Sequence, residues 1–168
     1  MTKLNELKQR ATDMEAQLKE IKAEIERLQK GWEMKVPDEY MDVYIYTLLS
    51  SGKVVENYWA GSKDEQYCFL QGNIFLTREA AELEGKRRDL LTRFRAFRDE
   101  CNESWYPNWK DSAESKYFIG FQDEELGIGV DYSCQHFLKF GYFKEYRNCK
   151  KAFELFGDKI KELFVECE

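Results

Sequence analysis

The first thirty residues carry an apolar repeat that restricts what this part of the chain can fold into. Eight apolar residues alternate spacings of three and four through four heptads: Leu4, Leu7, Ala11, Met14, Leu18, Ile21, Ile25 and Leu28. This spacing places them in one line along an α-helix and is typical of a coiled-coil seam. Two apolar positions per heptad make a narrower stripe than a helix needs to pack into a globular core. We therefore expect residues 1–31 to form an arm that pairs with another helix.

The residues after the repeat predict a hinge and a separate globular part. Gly31 ends the helical pattern, and Pro37 disfavours its return. Residues 32–41 are therefore expected to connect the arm to a body at residues 42–168. A chain of 168 residues suits one domain with such an appendage.

Charges beside the seam leave the partner of the arm open. In a parallel dimer Lys3 would face the second copy's Lys8 and repel it, whereas Arg10 would face Glu15 and attract it. The narrow seam favours a homo-oligomer, most simply a dimer, and the alternative is an arm folded back onto its own body. Neither the orientation nor the number of copies follows from the sequence.

The body has the pattern of an α+β fold. A long helix is predicted at about residues 78–101, with Thr77 as its N-cap, and a second helix closes the chain. Both would pack on an antiparallel sheet of about six strands, arranged as a β-β-β-α pseudo-repeat. The predicted strands are DVYIYTLL (42–49), KVVENYW (53–59), QYCFLQ (66–71), KYFIGFQ (116–122), IGVDYS (128–133) and HFLKFGYF (136–143).

Composition narrows the classes of function. The sequence contains no signal-peptide pattern and no apolar run of membrane-spanning length, so we expect a cytoplasmic protein without a membrane partner. The five cysteines are widely separated and form no Cys-x-x-Cys pair, which predicts neither a disulfide framework nor a metal site. No cofactor motif is present. The net charge of −6 argues weakly against general affinity for nucleic acid.

The middle of the long helix is the first candidate binding surface. Residues 86–98 contain six basic side chains and one acidic one, and helical spacing places Arg88 and Arg95 on the outer side. The same spacing places Leu83, Leu90, Phe94, Phe97 and Cys101 in one apolar stripe that should be buried, with Arg87 and Arg98 at its edge. The segment is compatible with a solvated helix face, with a patch for an acidic protein surface, or with contacts to nucleic-acid phosphates.

Two loops are further candidates for partner binding. Trp105, Tyr106 and Trp109 have the composition of an interface hot spot, although the tryptophans are equally suited to cover the edge of the sheet. The acidic turn at Asp123, Glu124 and Glu125 could present carboxylates where phosphates would otherwise bind.

No catalytic residues are predicted. His136, the single histidine, lies two residues from Cys134, so both would share one face of a strand. A thiol nucleophile needs a base that a third group orients, and the sequence does not identify that group. We therefore expect a protein without enzymatic activity.

The body resembles a group of small accessory proteins of bacteriophages and prophages. The similar features are GNIFLTREAAEL, an aromatic-rich helix end followed by Asn102, a tryptophan-containing loop, the KYFI strand, and a YF tract before a closing helix. The resemblance spans roughly residues 42–165, whereas the arm and the arginine-rich part of the helix depart from it.

This resemblance implies a protein made during infection or carried on a mobile element. Such proteins often bind and block a host factor, including restriction and CRISPR defences. The expected partners are a second copy of the chain and a host protein or nucleoprotein complex, and the best specific hypothesis is an inhibitor of anti-CRISPR type. The alternatives are a nucleic-acid-binding accessory protein that uses the arginine-rich helix and a structural protein of the virion or its assembly.

Overall fold

The computed structural model describes residues 3–30, 34–122, 124–133, 135–136 and 138–166. The chain divides into two compact units, residues 1–37 and residues 38–168. The described residues form an α+β structure with the helices α1 (Lys3–Lys30), α2 (Lys63–Leu70), α3 (Arg78–Asn102) and α4 (Tyr146–Phe164) and the strands β1 (Tyr44–Leu48), β2 (Val54–Tyr58), β3 (Ile74–Phe75), β4 (Lys116–Gln122) and β5 (Glu125–Asp131). The first unit consists of α1 and the residues that follow it, and every other element belongs to the second unit, called the body below.

The first sheet has the strand order β2-β1-β3, and all of its pairs are antiparallel. The predicted hairpin is confirmed, with Leu48 opposite Val54 beside the turn and Tyr44 opposite Tyr58 at the far end. Gly52 has φ +80° in this turn, a conformation that glycine adopts without strain. Because β1 lies between the other two strands, its side chains include some of the most buried in the body, such as Ile45 at 0% exposure.

The predicted third strand at residues 66–71 is wrong, because this segment lies in α2 and the turn that follows it. The reason is a capping box at its start. The Ser62 side chain accepts a hydrogen bond from the Glu65 backbone, and the Glu65 side chain accepts one from the Ser62 backbone. These two hydrogen bonds satisfy backbone N–H groups that have no partner within the first turn of a helix. They therefore favour a helix over the strand that the apolar run predicts.

Helix α3 matches the predicted long helix closely. Thr77 Oγ1 accepts a hydrogen bond of 3.2 Å from the Ala80 amide, which is the expected N-cap contact. Leu90 and Phe94 are buried on its inner face, and Leu83, Phe97 and Cys101 pack against the same cluster. The apolar stripe predicted for this helix is therefore confirmed as a core surface.

The main core lies between α3, α4 and the β4–β5 hairpin. Phe94 is completely buried, and its ring centroid lies 4.8 Å from that of Phe140, 5.8 Å from that of Phe143 and 5.4 Å from that of Phe156. Tilted and edge-on aromatic pairs at these distances add to the stabilisation from burial alone. The closing helix predicted from the sequence is confirmed as α4.

Six strands in one sheet and the β-β-β-α pseudo-repeat are wrong. The described residues form a three-stranded and a two-stranded sheet, and in the expected strand at 136–143 the described pairing is a single bridge between Phe143 and Tyr117. Gly141, at φ +74°, belongs to a turn there in which its amide bonds to the Leu138 carbonyl. Phe140, Tyr142 and Phe143 of this segment are buried by loop packing, and the alternation of apolar residues here is not the pleat of a strand.

Candidate functional site

The seam residues of α1 are exposed along its described length. Seven of them, Leu4, Leu7, Met14, Leu18, Ile21, Ile25 and Leu28, keep between 48% and 68% of their surface accessible, and Ala11 is also exposed. Polar pairs such as Gln9 with Asp13 and Arg27 with Glu24 lie along the same helix. The helix therefore presents one apolar line between charged flanks, which suits pairing with a second helix.

The arginine-rich part of α3 is largely engaged inside the body. Arg87 Nε donates to the Leu163 carbonyl at 2.7 Å, and Arg98 donates to the Phe140 carbonyl at 3.0 Å. Both side chains thus lie along the edge of the buried stripe, as predicted. The Arg87 guanidinium therefore holds α3 against the end of α4, and the Arg98 guanidinium holds α3 against the loop that contains Phe140.

Arg88, predicted to be a partner-binding residue, connects three parts of the body. It donates to Glu84 on its own helix, to the side chain of Asn73 at 2.5 Å and to the Gly72 carbonyl at 2.7 Å. Its hydrogen-bonding groups are therefore committed to fixing the turn before β3 on α3.

The remaining basic side chains of the segment differ in how free they are. Arg93 forms an ion pair with Asp89, and the charge of Lys86 adds to the hydrogen bond from Lys159 that lowers the pKa of Glu162. Arg95 is exposed and forms no hydrogen bond or ion pair with any described residue. The structure thus leaves one of the two predicted arginines available, which is a smaller basic surface than the sequence indicates.

The aromatic loop after α3 divides into anchored and exposed side chains. Trp105 Nε1 donates to Glu114 at 2.8 Å, and the Trp109 ring packs edge-on against Tyr142 with centroids 5.0 Å apart. Tyr106 is 83% exposed. The two tryptophans therefore stabilise the loop, and Tyr106 is the aromatic side chain of this loop that a partner could contact directly.

Lys116 and Glu114 hold this loop in place through hydrogen bonds. The Lys116 side chain is completely buried, and its ammonium donates to the carbonyls of Asp111, Glu114 and Tyr132 at 3.1, 2.7 and 2.8 Å. Burial alone would raise the pKa of Glu114, but hydrogen bonds from Trp105, the Asn108 amide and Lys116 hold that pKa below its usual value. A buried charge with this many partners is a structural group.

The acidic turn lies at the tip of the β4–β5 hairpin. Glu124 has φ +68° and is exposed, and Glu125 is the first residue of β5 and is also exposed. The turn is thus shorter than the predicted acidic loop. Asp123, the third predicted carboxylate, lies outside the described residues. No group of three or more metal-ligating side chains occurs in the part of the chain that the structure describes.

A hydrogen-bonded cluster beyond β5 was missed by the sequence analysis. His136 Nδ1 lies 2.9 Å from Asp131 Oδ2, and the Tyr142 hydroxyl donates to that same oxygen at 2.9 Å. Asp131 is the orienting group that the sequence did not identify for His136. A spacing of five residues between Asp131 and His136 follows no known motif, so the contact between their side chains could not be predicted from the sequence. Cys134 lies outside the described residues.

A cleft of about 750 Å³ lies in the body between the β1–β2 turn, α3 and α4. Its charged lining mixes both signs, with the basic residues Lys86, Arg93 and Lys159 and the acidic residues Glu82, Asp89 and Glu162. Such a lining favours neither an anionic nor a cationic ligand.

No helix in the described part of the chain has the length and apolarity that a membrane crossing requires. Comparison with protein-family models, with curated proteins and with solved structures gives no match to this chain.

Proposed function

We propose that the protein is a self-associating binding protein without catalytic activity, in which α1 joins copies and the body engages a host macromolecule. The single observation that carries this proposal is the exposed, unbroken apolar seam of α1. An isolated helix of this length gains little stability in water from its backbone alone, and packing of its apolar face supplies most of it. A second copy offers a seam of the same spacing.

The flanking charges favour an antiparallel pair of α1 helices. With the heptads aligned in opposite directions, Lys3 of one helix faces Glu24 of the other, and Glu15 faces Lys22, so both kinds of contact attract. A parallel pair would combine the attraction of Arg10 and Glu15 with a repulsion between lysines. Each contact occurs twice in a symmetric dimer, and an exposed ion pair contributes roughly 0.2–1 kcal/mol.

Charge reversal tests both the self-association and its direction. Sedimentation equilibrium of the full-length protein should give the mass of a dimer. Glu24→Lys should weaken the dimer about three- to tenfold, because Lys3 then meets a lysine, and Lys3→Glu combined with Glu24→Lys should restore it. Lys8→Glu is the matched control, since it strengthens a parallel pair but leaves an antiparallel pair nearly unchanged. A monomer at all accessible concentrations would contradict the proposal.

The proposed target of the body is a host protein, and the specific hypothesis is that the protein inhibits a bacterial defence of CRISPR type. The resemblance of residues 42–165 to phage accessory proteins supports this, together with the net charge of −6. The internal contacts of Arg87, Arg88 and Arg98 favour a protein target over nucleic acid, because they reduce the basic surface that phosphates would need.

A pull-down from bacterial lysate, with and without nuclease, tests the target. A host protein recovered in stoichiometric amounts after nuclease treatment is the expected result, and deletion of residues 1–30 should reduce only the avidity that several copies provide. Recovery that disappears with nuclease would favour the nucleic-acid-binding alternative. If deletion of residues 1–30 instead removes all function of the protein, a role in virion assembly would be favoured.

A further inference from the structure

Strand β5 has one neighbour in its sheet, and its other edge pairs with no strand among the residues that the structure describes. It pairs with β4 over seven residue pairs, from Lys116 opposite Asp131 to Gln122 opposite Glu125. The outer edge of β4 is paired at one residue, Tyr117, which exchanges two backbone hydrogen bonds with Phe143, at 3.0 and 2.7 Å.

The Tyr117 bridge fixes the direction of every backbone group in the hairpin. Its amide and carbonyl point away from β5, and successive residues of a strand alternate in direction. Lys116, Phe118 and Gly120 therefore bond to β5, and their partners in β5 point towards β4. The residues between those partners direct their amides and carbonyls outward: Leu126, Ile128 and Val130.

These outward groups have no backbone partner among the described residues. Natural edge strands are commonly protected by proline, by lysine, by a bulge or by shortness. The seven residues of β5 contain neither proline nor lysine, and the register of the hairpin runs without a bulge. An edge of this kind is a template for one more strand.

The face of the hairpin next to this edge is shaped by two glycines. The Phe118 ring lies against Gly120 and Gly129, so closely that a Cβ at Gly129 would come 2.3 Å from its Cζ atom. A cleft of about 390 Å³ follows the same face, between Phe118, Gly127 and the hairpin tip. A side chain of an added strand could therefore pack against the Phe118 ring and occupy the space beside the glycines.

We propose that the outer edge of β5 binds an extended basic segment of a partner protein, which adds a third strand to the β4–β5 sheet. The charges select this partner, because Glu124 and Glu125 are both exposed at one end of the strand. A second copy of the chain fits less well, because symmetric pairing about Ile128 would put Glu125 opposite Asp131 of the other copy. The inference rests on the body being the binding part of the proposed function.

Amide hydrogen exchange followed by NMR tests this edge in the full-length protein. The probe is a six-residue peptide of alternating lysine and valine with blocked ends. At saturating peptide the amides of Leu126, Ile128 and Val130 should exchange at least tenfold more slowly, whereas those of Gly127 and Gly129, which already bond to β4, should not change. Protection of the three outward amides in the free protein, or no added protection with peptide, would overturn the proposal.

Three control peptides give the chemistry of the contact. Methylation of alternate peptide nitrogens should abolish binding, because it removes the donors of the new ladder. A glutamate-valine peptide should bind at least tenfold more weakly, and equal binding would contradict the selection by charge. Protection that rises with protein concentration alone would identify a second copy as the occupant and overturn the proposal.

A backbone variant tests the edge from the protein side. Val130→Pro removes an outward amide and leaves the bonds to β4 intact, so peptide binding should fall at least tenfold. Val130→Thr keeps that amide and should bind within threefold of the parent. Tryptophan fluorescence reports whether Val130→Pro is folded, and the methylated peptide does not depend on the variant.

Self-association is measured on the same samples. Leu18→Asp should dissociate the arms and leave peptide binding unchanged. Loss of edge binding with intact dimers would contradict only this inference, whereas monomers that still bind the peptide would contradict only the pairing of α1.

Discussion

Helices α1 and α4 are both amphipathic, yet one is exposed along its described length and the other is built into the core. The inward side of α4 buries Cys149, Ala152, Phe156, Gly157, Ile160 and Leu163. No described side chain of α1 is buried. Apolar positions in α4 recur with three or four per two turns, a stripe wide enough to cover α3 and the β4–β5 hairpin, whereas the seam of α1 is one line of side chains. The wide apolar stripe of α4 suits a helix of the core, whereas the narrow seam of α1 suits pairing with one other helix.

The two helices also differ in the size of their inward residues. Ala152 and Gly157 let α4 approach its neighbours closely, and both are buried. The seam of α1 has larger residues at seven of its eight positions, and burying one leucine or isoleucine side chain contributes about 1.5–3 kcal/mol. Pairing of α1 can therefore be strong.

The largest effect on the body should come from the surface that α4 packs against. Phe94→Ala removes a fully buried ring that touches Phe140, Phe143 and Phe156, and it should lower the free energy of unfolding by about 3–5 kcal/mol. Urea unfolding followed by the fluorescence of Trp59, Trp105 and Trp109 measures this. A loss below about 1 kcal/mol would contradict the position of Phe94 at the centre of the core.

The same substitution should have opposite signs in the two helices. Ala152→Leu adds three carbons at a completely buried site and should destabilise the body by about 1–3 kcal/mol. Ala11→Leu adds them to the thinnest layer of the seam and should strengthen self-association more than tenfold, since each buried methylene contributes about 0.8 kcal/mol. Urea unfolding measures the effect of Ala152→Leu on stability, and sedimentation equilibrium measures the effect of Ala11→Leu on self-association. If both substitutions were stabilising, or both destabilising, the proposed difference between the two helices would be wrong.

The buried thiol of α4 gives the body a dependence on pH. Burial raises the pKa of Cys149 from 9.0 to about 12, so the thiol stays protonated in the folded protein while the unfolded chain ionises it above about pH 9. Stability is therefore fully present below pH 9 and is lost as the pH rises towards 12, by up to about 1.4 kcal/mol per unit.

Cys149→Ala isolates this contribution from the other groups that titrate at high pH. Urea unfolding of both proteins between pH 8 and pH 10.5 should show a shallower decline for the variant. Identical slopes would mean that Cys149 ionises equally in the two states.

The smallest effect on the body should come from the seam of α1. Leu18→Asp places a charge at its middle and should abolish self-association, yet it should change the free energy of unfolding of the body by less than about 0.5 kcal/mol. Sedimentation and tryptophan fluorescence on the same sample measure both quantities. A large loss in the body would mean that the arm packs onto it, which is the alternative that the sequence left open.

The elements with long-range periodicity were predictable from the sequence. The four-heptad repeat of α1, the Thr77 cap and apolar stripe of α3, and the first hairpin each combine a regular period with a local signal. Two predictions failed where a local contact competes with a short apolar run. The Ser62–Glu65 capping box makes residues 63–70 helical, and the turn at Gly141 breaks the apparent strand at 136–143.

The candidate sites were less predictable, because side-chain partners lie far apart in the sequence. Nothing local indicates that Arg88 bonds to Gly72 and Asn73, or that Arg87 reaches the carbonyl of Leu163. Helical spacing identified the side of α3 on which each arginine lies, but not what it touches there. The outward direction of the backbone groups of Leu126, Ile128 and Val130 likewise follows from the bridge between Tyr117 and Phe143, which no sequence period encodes.

The buried ammonium of Lys116 has a consequence for the order of folding steps. One of its three carbonyl partners, Tyr132, lies just beyond β5, and the other two lie in the aromatic loop. A hairpin closes within microseconds, and only a closed hairpin brings Tyr132 beside Lys116. We therefore expect the loop that carries Tyr106 to take its shape after the hairpin has formed, so that this exposed tyrosine is positioned late in folding, by a lysine ten residues away.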